Sequence, residues 1–141
     1  MLLRQTTSTV ATGLKLTDHS GSTPSHYLGA AGEHLVASFY LASGYPVYFP
    51  MAQAGWVDLI AQTPHGFKRV QVKTTAGEGK AIRVRSLGSD EGQEPHDRYD
   101  QLAVVNLNRL WVIPATMLVG RDTITLKPDD PYCDYAGYRK R

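Results

Sequence analysis

The run Arg69-Val70-Gln71-Val72-Lys73-Thr74, read together with Trp56-Val57-Asp58-Leu59-Ile60 a short way upstream, decides how this chain folds. Both pieces alternate β-branched or apolar residues with polar ones, the two-residue period of a strand. Between them Gln62-Thr63-Pro64-His65-Gly66 carries turn chemistry, so the two runs are predicted to pair as an antiparallel hairpin. Neighbouring side chains on a strand leave on opposite faces, which places Gln71 and Lys73 on one face and Val70 and Val72 on the other. A lysine alternating with valines near a sheet centre needs a partner, because a buried, unpaired cation is costly or gives up its proton. Asp58 on the neighbouring strand supplies the carboxylate.

Upstream of this hairpin, Leu28, Ala31, Leu35, Val36, Phe39 and Ala42 recur at helical spacing, predicting a helix over Ser25–Ser43 that Gly44 stops. Glu33 stands at helical spacing from Gly29, Val36 and Tyr40, on the shoulder of the buried face, whereas His34 and Ser38 point the other way. Gly29 and Gly32 would allow this helix to approach another backbone closely. Taken alone, a helix glutamate is ordinarily a solvated one, so Glu33 gains meaning only from what it meets in space.

The remaining strands are expected at 45–49, closed by Pro50, then 56–61, 67–74, and 81–85 after the Gly77–Gly79 turn. Residues 86–98 read as an acidic Gly/Ser/Asp loop without periodicity, a kind of segment that is often functional. A second hairpin is predicted from 101–106 and 109–113, followed by a short helix at 114–118 begun by Pro114 and a last strand at 123–126. Residues 1–24, rich in Ser, Thr and Gly, are expected to be a flexible arm, 25–128 a single domain, and 129–141 a basic and aromatic tail.

At 141 residues and 42% hydrophobic content the chain suits one core. Its single Cys133 excludes an internal disulfide and a cysteine zinc cluster, which fits a reducing compartment, and no apolar run approaches a membrane span. A soluble, cytoplasmic protein is expected, with no membrane partner and no signal peptide. The five histidines show no metal-ligand spacing and read as surface or loop residues. A net charge of +2 is too small to announce a polyanionic partner, but its distribution is uneven. Lys68, Arg69, Lys73, Lys80, Arg83 and Arg85 crowd around the key strand, and Arg139, Lys140 and Arg141 end the chain.

Taken together, a glutamate on the first helix, Asp58 in a Gly-x-x-Asp-Leu-Ile strand, Gln71-Val72-Lys73 closing the paired strand, and the later Tyr99–Val105 and Trp111–Pro114 pieces resemble the PD-(D/E)XK nuclease superfamily. Within it the chain is most similar to the branch with Gln in the third motif, that of intron-encoded homing endonucleases and related phage and bacterial enzymes. The resemblance covers about residues 27 to 118. It implies an α/β fold with a restriction-endonuclease-like αβββαβ core, a central mixed sheet flanked by helices.

The resemblance further implies a Mg²⁺-dependent DNA endonuclease, with Mn²⁺ as a substitute, and catalytic residues Glu33, Asp58, Gln71 and Lys73. Metal ligands would be Asp58, the Gln71 carbonyl, the Val72 main-chain oxygen and Glu33, while Lys73 positions the attacking water. Lys68, Arg69, Lys80, Arg83, Arg85, Arg139, Lys140 and Arg141 would contact DNA. Two departures stand out. Gln71 removes one charge from the usual acidic pair, so a single metal ion is expected, and position 57 is Val, with Pro50 the nearest preceding proline. Cutting both strands of a duplex needs two active sites, so a homodimer or homotetramer on double-stranded or branched DNA is expected. A site-specific homing or restriction nuclease, a junction-resolving or repair nuclease, and a binding module that has lost catalysis all stay open.

Overall fold

A computed structural model of the chain describes residues 25–52, 55–75, 81–84, 94–106 and 109–127. Helix α1 (Ser25–Ala42) leads into β1 (Val47–Tyr48), β2 (Leu59–Thr63), β3 (Gly66–Thr74) and β4 (Ala81–Arg83). A four-residue helix α2 (Pro95–Arg98) precedes β5 (Gln101–Asn106) and β6 (Arg109–Pro114), and a 3₁₀ turn (Ala115–Leu118) leads to β7 (Thr123–Thr125). The main sheet has the order β1-β2-β3-β5-β6; only β3 and β5 run parallel, so the sheet is mixed. Strands β4 and β7 form a separate antiparallel pair.

Helix α1 forms because its buried positions, Gly32, Leu35, Val36, Ala37, Phe39 and Tyr40, make one stripe that meets Leu59, Ala61, Val70, Val72, Ala103, Val105, Leu110 and Val112 on one face of the sheet. It ends at Gly44, whose φ of 87° lets Tyr45 N–H reach back to Tyr40 O at 3.0 Å and Gly44 N–H to Leu41 O at 2.9 Å. Tyr40 is itself core: its hydroxyl donates to Gln101 Oε1 at 2.6 Å, tying helix to sheet. Of the two expected close-approach glycines, Gly32 alone serves. A Cβ there would collide with Thr74 Oγ1 on β3, whereas Gly29 faces open space. The close approach is thus to a side chain rather than to a second backbone.

The opposite face of the sheet is divided. Over β5 and β6, Leu102, Val104, Trp111 and Ile113 pack with Val84, Tyr99, Ala115, Leu118, Ile124 and Leu126 into a second core, which the β4–β7 pair covers. Because β5 is covered on both faces, all six of its residues are buried. Over β2 and β3 that face keeps its polar side chains, and the candidate site lies there.

Several boundaries differ from the sequence reading. The second strand is 59–63 rather than 56–61, and the turn is only Pro64-His65, with Thr63 Oγ1 accepting from His65 N–H and donating to Gly66 O. The first strand shortens to two residues. The 86–98 segment is not loop throughout, since 95–98 is helical: Glu94 caps it by receiving Asp97 N–H while the Asp97 side chain accepts Glu94 N–H. The expected arm 1–24 and tail 129–141 lie outside the described residues. Among the described residues no helix is long and apolar enough to cross a membrane.

Candidate active site

The β2–β3 register pairs Leu59 with Val70 and Ile60 with Arg69. Past the start of β2 the Asp58 carboxylate meets Gln71 and the Trp56 ring lies near Lys73; Gln71 and Lys73 alternate with Val70 and Val72, which puts them on the face away from α1. Val70 O, whose residue is the register partner of Leu59, accepts from Asp58 N–H at 2.9 Å, so the pairing slips by one residue at Asp58. Val72 N–H then donates to Asp58 Oδ2 at 2.7 Å instead of to a strand carbonyl. The strand edge therefore opens at the residue where a carboxylate arrives.

The Gln71 amide bridges two acceptors. Its Nε2 donates to Asp58 Oδ2 at 2.9 Å and to Val72 O at 3.3 Å. A carboxylate and a carbonyl only accept, so the amide must turn its donor edge toward them. Its own Oε1 is left buried without a hydrogen-bond partner. An orphaned buried acceptor is uncommon, and here it belongs to an amide whose donor edge faces a carboxylate and a main-chain oxygen.

Charge at this place is only partly compensated. Burial pushes the Asp58 carboxyl above its ordinary range, more than the Val72 N–H and the Lys73 charge pull it down. Burial also raises Glu33, which reaches in from α1, and the nearby negative charge of Asp58 adds to the effect while His34 opposes it. The negative charge of Asp58 raises the proton affinity of Glu33, so a cation near both is favoured. Lys73 Nζ stands 5.9 Å from the centre of the Trp56 ring, and the Arg98 guanidinium 5.0 Å from the same ring.

Glu33, Asp58, Gln71, Val72 and Lys73, singled out from the sequence, are therefore brought to one locality. Of the basic residues expected to contact DNA, the three that are described do not join it. Lys68 is in register with Ala61, which puts it on the α1 face, away from the cluster. Arg69 is on the cluster's face but is held by Asp100, with Nε to Oδ2 at 3.1 Å, NH2 to Oδ1 at 3.1 Å, and its backbone N–H to Oδ2 at 2.8 Å. Arg83 is exposed on β4, and Lys80, Arg85, Arg139, Lys140 and Arg141 lie outside the described residues. Trp56 as a platform, Arg98 beside it and Asp100 as the arginine's partner were missed. Their contacts link positions some thirty to forty residues apart, and no local pattern marks them.

The donor set suits a hard divalent ion. Among the described residues no group of three or more His, Cys, Asp or Glu is placed to hold a metal, and His26, His34, His65 and His96 are exposed. What the locality offers is oxygen: two carboxylates, a main-chain carbonyl and an amide. A family model described as PD-(D/E)XK endonuclease matches residues 23–124.

The chain belongs to the PD-(D/E)XK endonuclease family.

Its curated relatives include Protein 5.3 of Escherichia phage T7, 37% identical over an 86-residue alignment that covers 57% of this chain and 71% of that protein. The fold is similar to that of a solved bacterial homing endonuclease, I-Ssp6803I, with a TM-score of 0.62 at 19% identity, covering 78% of this chain and 81% of that one. At that identity the likeness is one of fold.

Proposed function

We propose that this chain is a Mg²⁺-dependent endodeoxyribonuclease that hydrolyses phosphodiester bonds in duplex or branched DNA. The observation that carries the reading is the convergence of Asp58, Gln71 and the Val72 carbonyl at the open end of the hairpin, with Glu33 and Lys73 beside them. The orphaned Gln71 Oε1 fits a cation site, since it is an unused buried oxygen of the amide whose donor edge faces the other two. Asp58, Glu33, Val72 O and Gln71 Oε1 would hold one ion. When bound, the ion supplies positive charge to the scissile phosphate and acidity to its water.

The protein's own residues do the rest. Asp58 is fixed by the Val72 N–H, so its second oxygen is presented in a defined direction. Glu33 adds the second negative charge that Gln71 does not provide. Lys73, held near the Trp56 ring, keeps an ammonium beside the reacting phosphate, where it orients the attacking water and offsets charge that develops in the transition state. For Gln71 to contribute its oxygen, the amide must turn over about its last bond, exchanging donor edge for acceptor edge. Two copies related by a two-fold axis would match the symmetry of a duplex.

The test is nicking of supercoiled and branched DNA by wild type, Asp58→Ala and Lys73→Ala, in Mg²⁺, in Mn²⁺ and in EDTA. Cleavage by wild type alone and only with metal is expected. Nicking that survives both EDTA and Lys73→Ala would overturn the mechanism, and tight binding without cutting in any metal would show a binding module instead.

A further inference from the structure

Helix α1 rests on a hydroxyl of the sheet that has no partner. Thr74 Oγ1, at the end of β3, is buried without a hydrogen-bond partner. It lies against Gly32: a Cβ there would collide with that oxygen and come to 3.2 Å from Thr74 Cβ and 3.5 Å from Thr74 Cγ2. Threonine is stiff about χ1, and turning it leaves the Cβ contact where it was, so rotation does not clear the clash. Nor can the strand retreat. Thr74 is in register with Val105 of β5, whose six residues are all buried, and Thr75 N–H donates to Val105 O at 2.9 Å. A change at this contact is therefore taken up by the helix.

On both elements the adjoining residue belongs to the candidate site. Gly32 precedes Glu33, and Thr74 follows Lys73, whose side chain leaves on the opposite face of the strand. Further along, α1 is tied to the sheet by the Tyr40 hydroxyl, which donates to Gln101 Oε1 at 2.6 Å. Glu33 lies about 10 Å along the helix axis from that tie, at about 1.5 Å per residue. A helix held at Tyr40 and lifted at Gly32 tilts, and Glu33 moves with the lifted end. The contact is costly in itself, since a buried hydroxyl without a partner is unfavourable and glycine is a poor helix former. Gly29, one turn earlier, faces open space, so the tight fit is confined to position 32.

We infer that the Gly32–Thr74 contact sets how far Glu33 reaches toward Asp58, which makes Gly32 and Thr74 positioning residues for the helix acid. This rests on the nuclease reading above, in which Glu33 supplies the second carboxylate to the ion. Misplacement of a reacting arrangement by about 1 Å costs on the order of a hundredfold in rate, so a lift of even part of that distance is measurable.

The experiment is Mn²⁺ binding by electron paramagnetic resonance on the full chain, with thermal unfolding in EDTA and cleavage kinetics in Mg²⁺ alongside. Thr74→Val keeps the shape, exchanges the partnerless hydroxyl for a bulkier methyl, and leaves the helix sequence intact. It should melt at or above the wild-type midpoint in EDTA, yet bind Mn²⁺ about threefold more weakly and lower kcat by a similar factor with KM unchanged. A merely structural contact would move midpoint and affinity together. Gly32→Ala should weaken Mn²⁺ binding about tenfold, and adding Thr74→Ala, which removes the colliding oxygen, should recover most of that loss. In a Glu33→Gln background Gly32→Ala should weaken Mn²⁺ binding no further, and Gly29→Ala should leave the affinity at the wild-type value. Folded Thr74→Val and Gly32→Ala chains with wild-type Mn²⁺ affinity and kcat, or an undiminished effect of Gly32→Ala beside Glu33→Gln, would overturn the positioning role and leave the nuclease standing. A wild-type chain that neither binds Mn²⁺ nor cuts DNA would remove both.

Discussion

Replacing Gln71 by Glu restores the charge that a third-motif carboxylate would carry, and the structure predicts a penalty that a metal ion should cancel. In the folded chain Gln71 Nε2 lies 2.9 Å from Asp58 Oδ2 and 3.3 Å from Val72 O. The substitution removes both donated hydrogen bonds, one of them to a charged group, and sets a second carboxylate against the first. At about 3 Å and an effective dielectric constant of about 20, two like charges repel by roughly 5 kcal/mol, which side-chain movement and solvent reduce to about 2–4 kcal/mol. For a chain of this size that is a fall of roughly 6–12 °C in thermal midpoint. An ion present at about 100 times its dissociation constant returns about 2.7 kcal/mol. Thermal unfolding in EDTA and in Mg²⁺ or Mn²⁺ is the assay: Gln71→Glu should melt well below wild type in EDTA and recover most of the difference with metal. The sign with pH follows. The new carboxyl and Asp58 raise each other's pKa in the folded state, so the deficit is absent at low pH and grows as pH rises through the raised values. Equal midpoints in EDTA at pH 8, or a deficit that metal leaves untouched, would refute the account of Gln71 as an amide bridging two metal-ligand oxygens.

Asp58→Ala should abolish cleavage while preserving or tightening DNA binding, because negative charge near the phosphates is removed; strongly weakened binding in a mobility-shift titration would contradict the role given to Asp58. Gly32→Ala places a methyl group against Thr74 and should destabilise the fold by about 1–3 kcal/mol in denaturant unfolding, a loss below about 0.5 kcal/mol showing that the helix stands further from β3 than described. Arg69→Ala should cost about 1 kcal/mol at pH 7, a modest figure because the pair with Asp100 is well exposed. Burial pushes the Asp100 carboxyl up, but the Arg69 side-chain and backbone hydrogen bonds and the Arg69 and Lys68 charges outweigh it and hold it below its usual range. A depressed acid stabilises above its unfolded pKa, so the difference between Arg69→Ala and wild type should be constant above about pH 5 and shrink as pH falls below about 4. A difference that persists at pH 2 would show that Arg69 acts through packing instead.

Much of the fold was legible in the sequence because it rests on local periodicities, and the residues proposed for the site were picked out by the same patterns. The apolar stripe from Leu35 to Tyr40 and the stop at Gly44 belong to a helix however the rest folds, and Val70-Gln71-Val72-Lys73 could only alternate across a strand. Asp58 and Trp56 were read as strand residues, yet the ladder of β2 begins at Leu59. The misreading is instructive: the strand pattern continues there because the two side chains face Gln71 and Lys73, while the Asp58 carboxylate has taken over Val72 N–H from the ladder. What was illegible is non-local. The β4–β7 pairing joins segments some forty residues apart and has no signature in either one. Helix α2 is too short for a helical period and is defined by the reciprocal Glu94 and Asp97 cap and by Pro95. Lys68 and Arg69 looked alike in sequence as basic neighbours of the motif. One pleat step separates their faces, and Asp100 separates their availability.

The central claim is that Glu33, Asp58, Gln71 and the Val72 carbonyl together form a single cation site, and the most direct measurement of it is Mn²⁺ uptake by electron paramagnetic resonance, comparing wild type with Asp58→Ala. One ion bound per wild-type chain, competed away by Mg²⁺ and lost in Asp58→Ala, is the predicted result. Equal uptake by both proteins, or none by wild type in the presence of DNA, would contradict it.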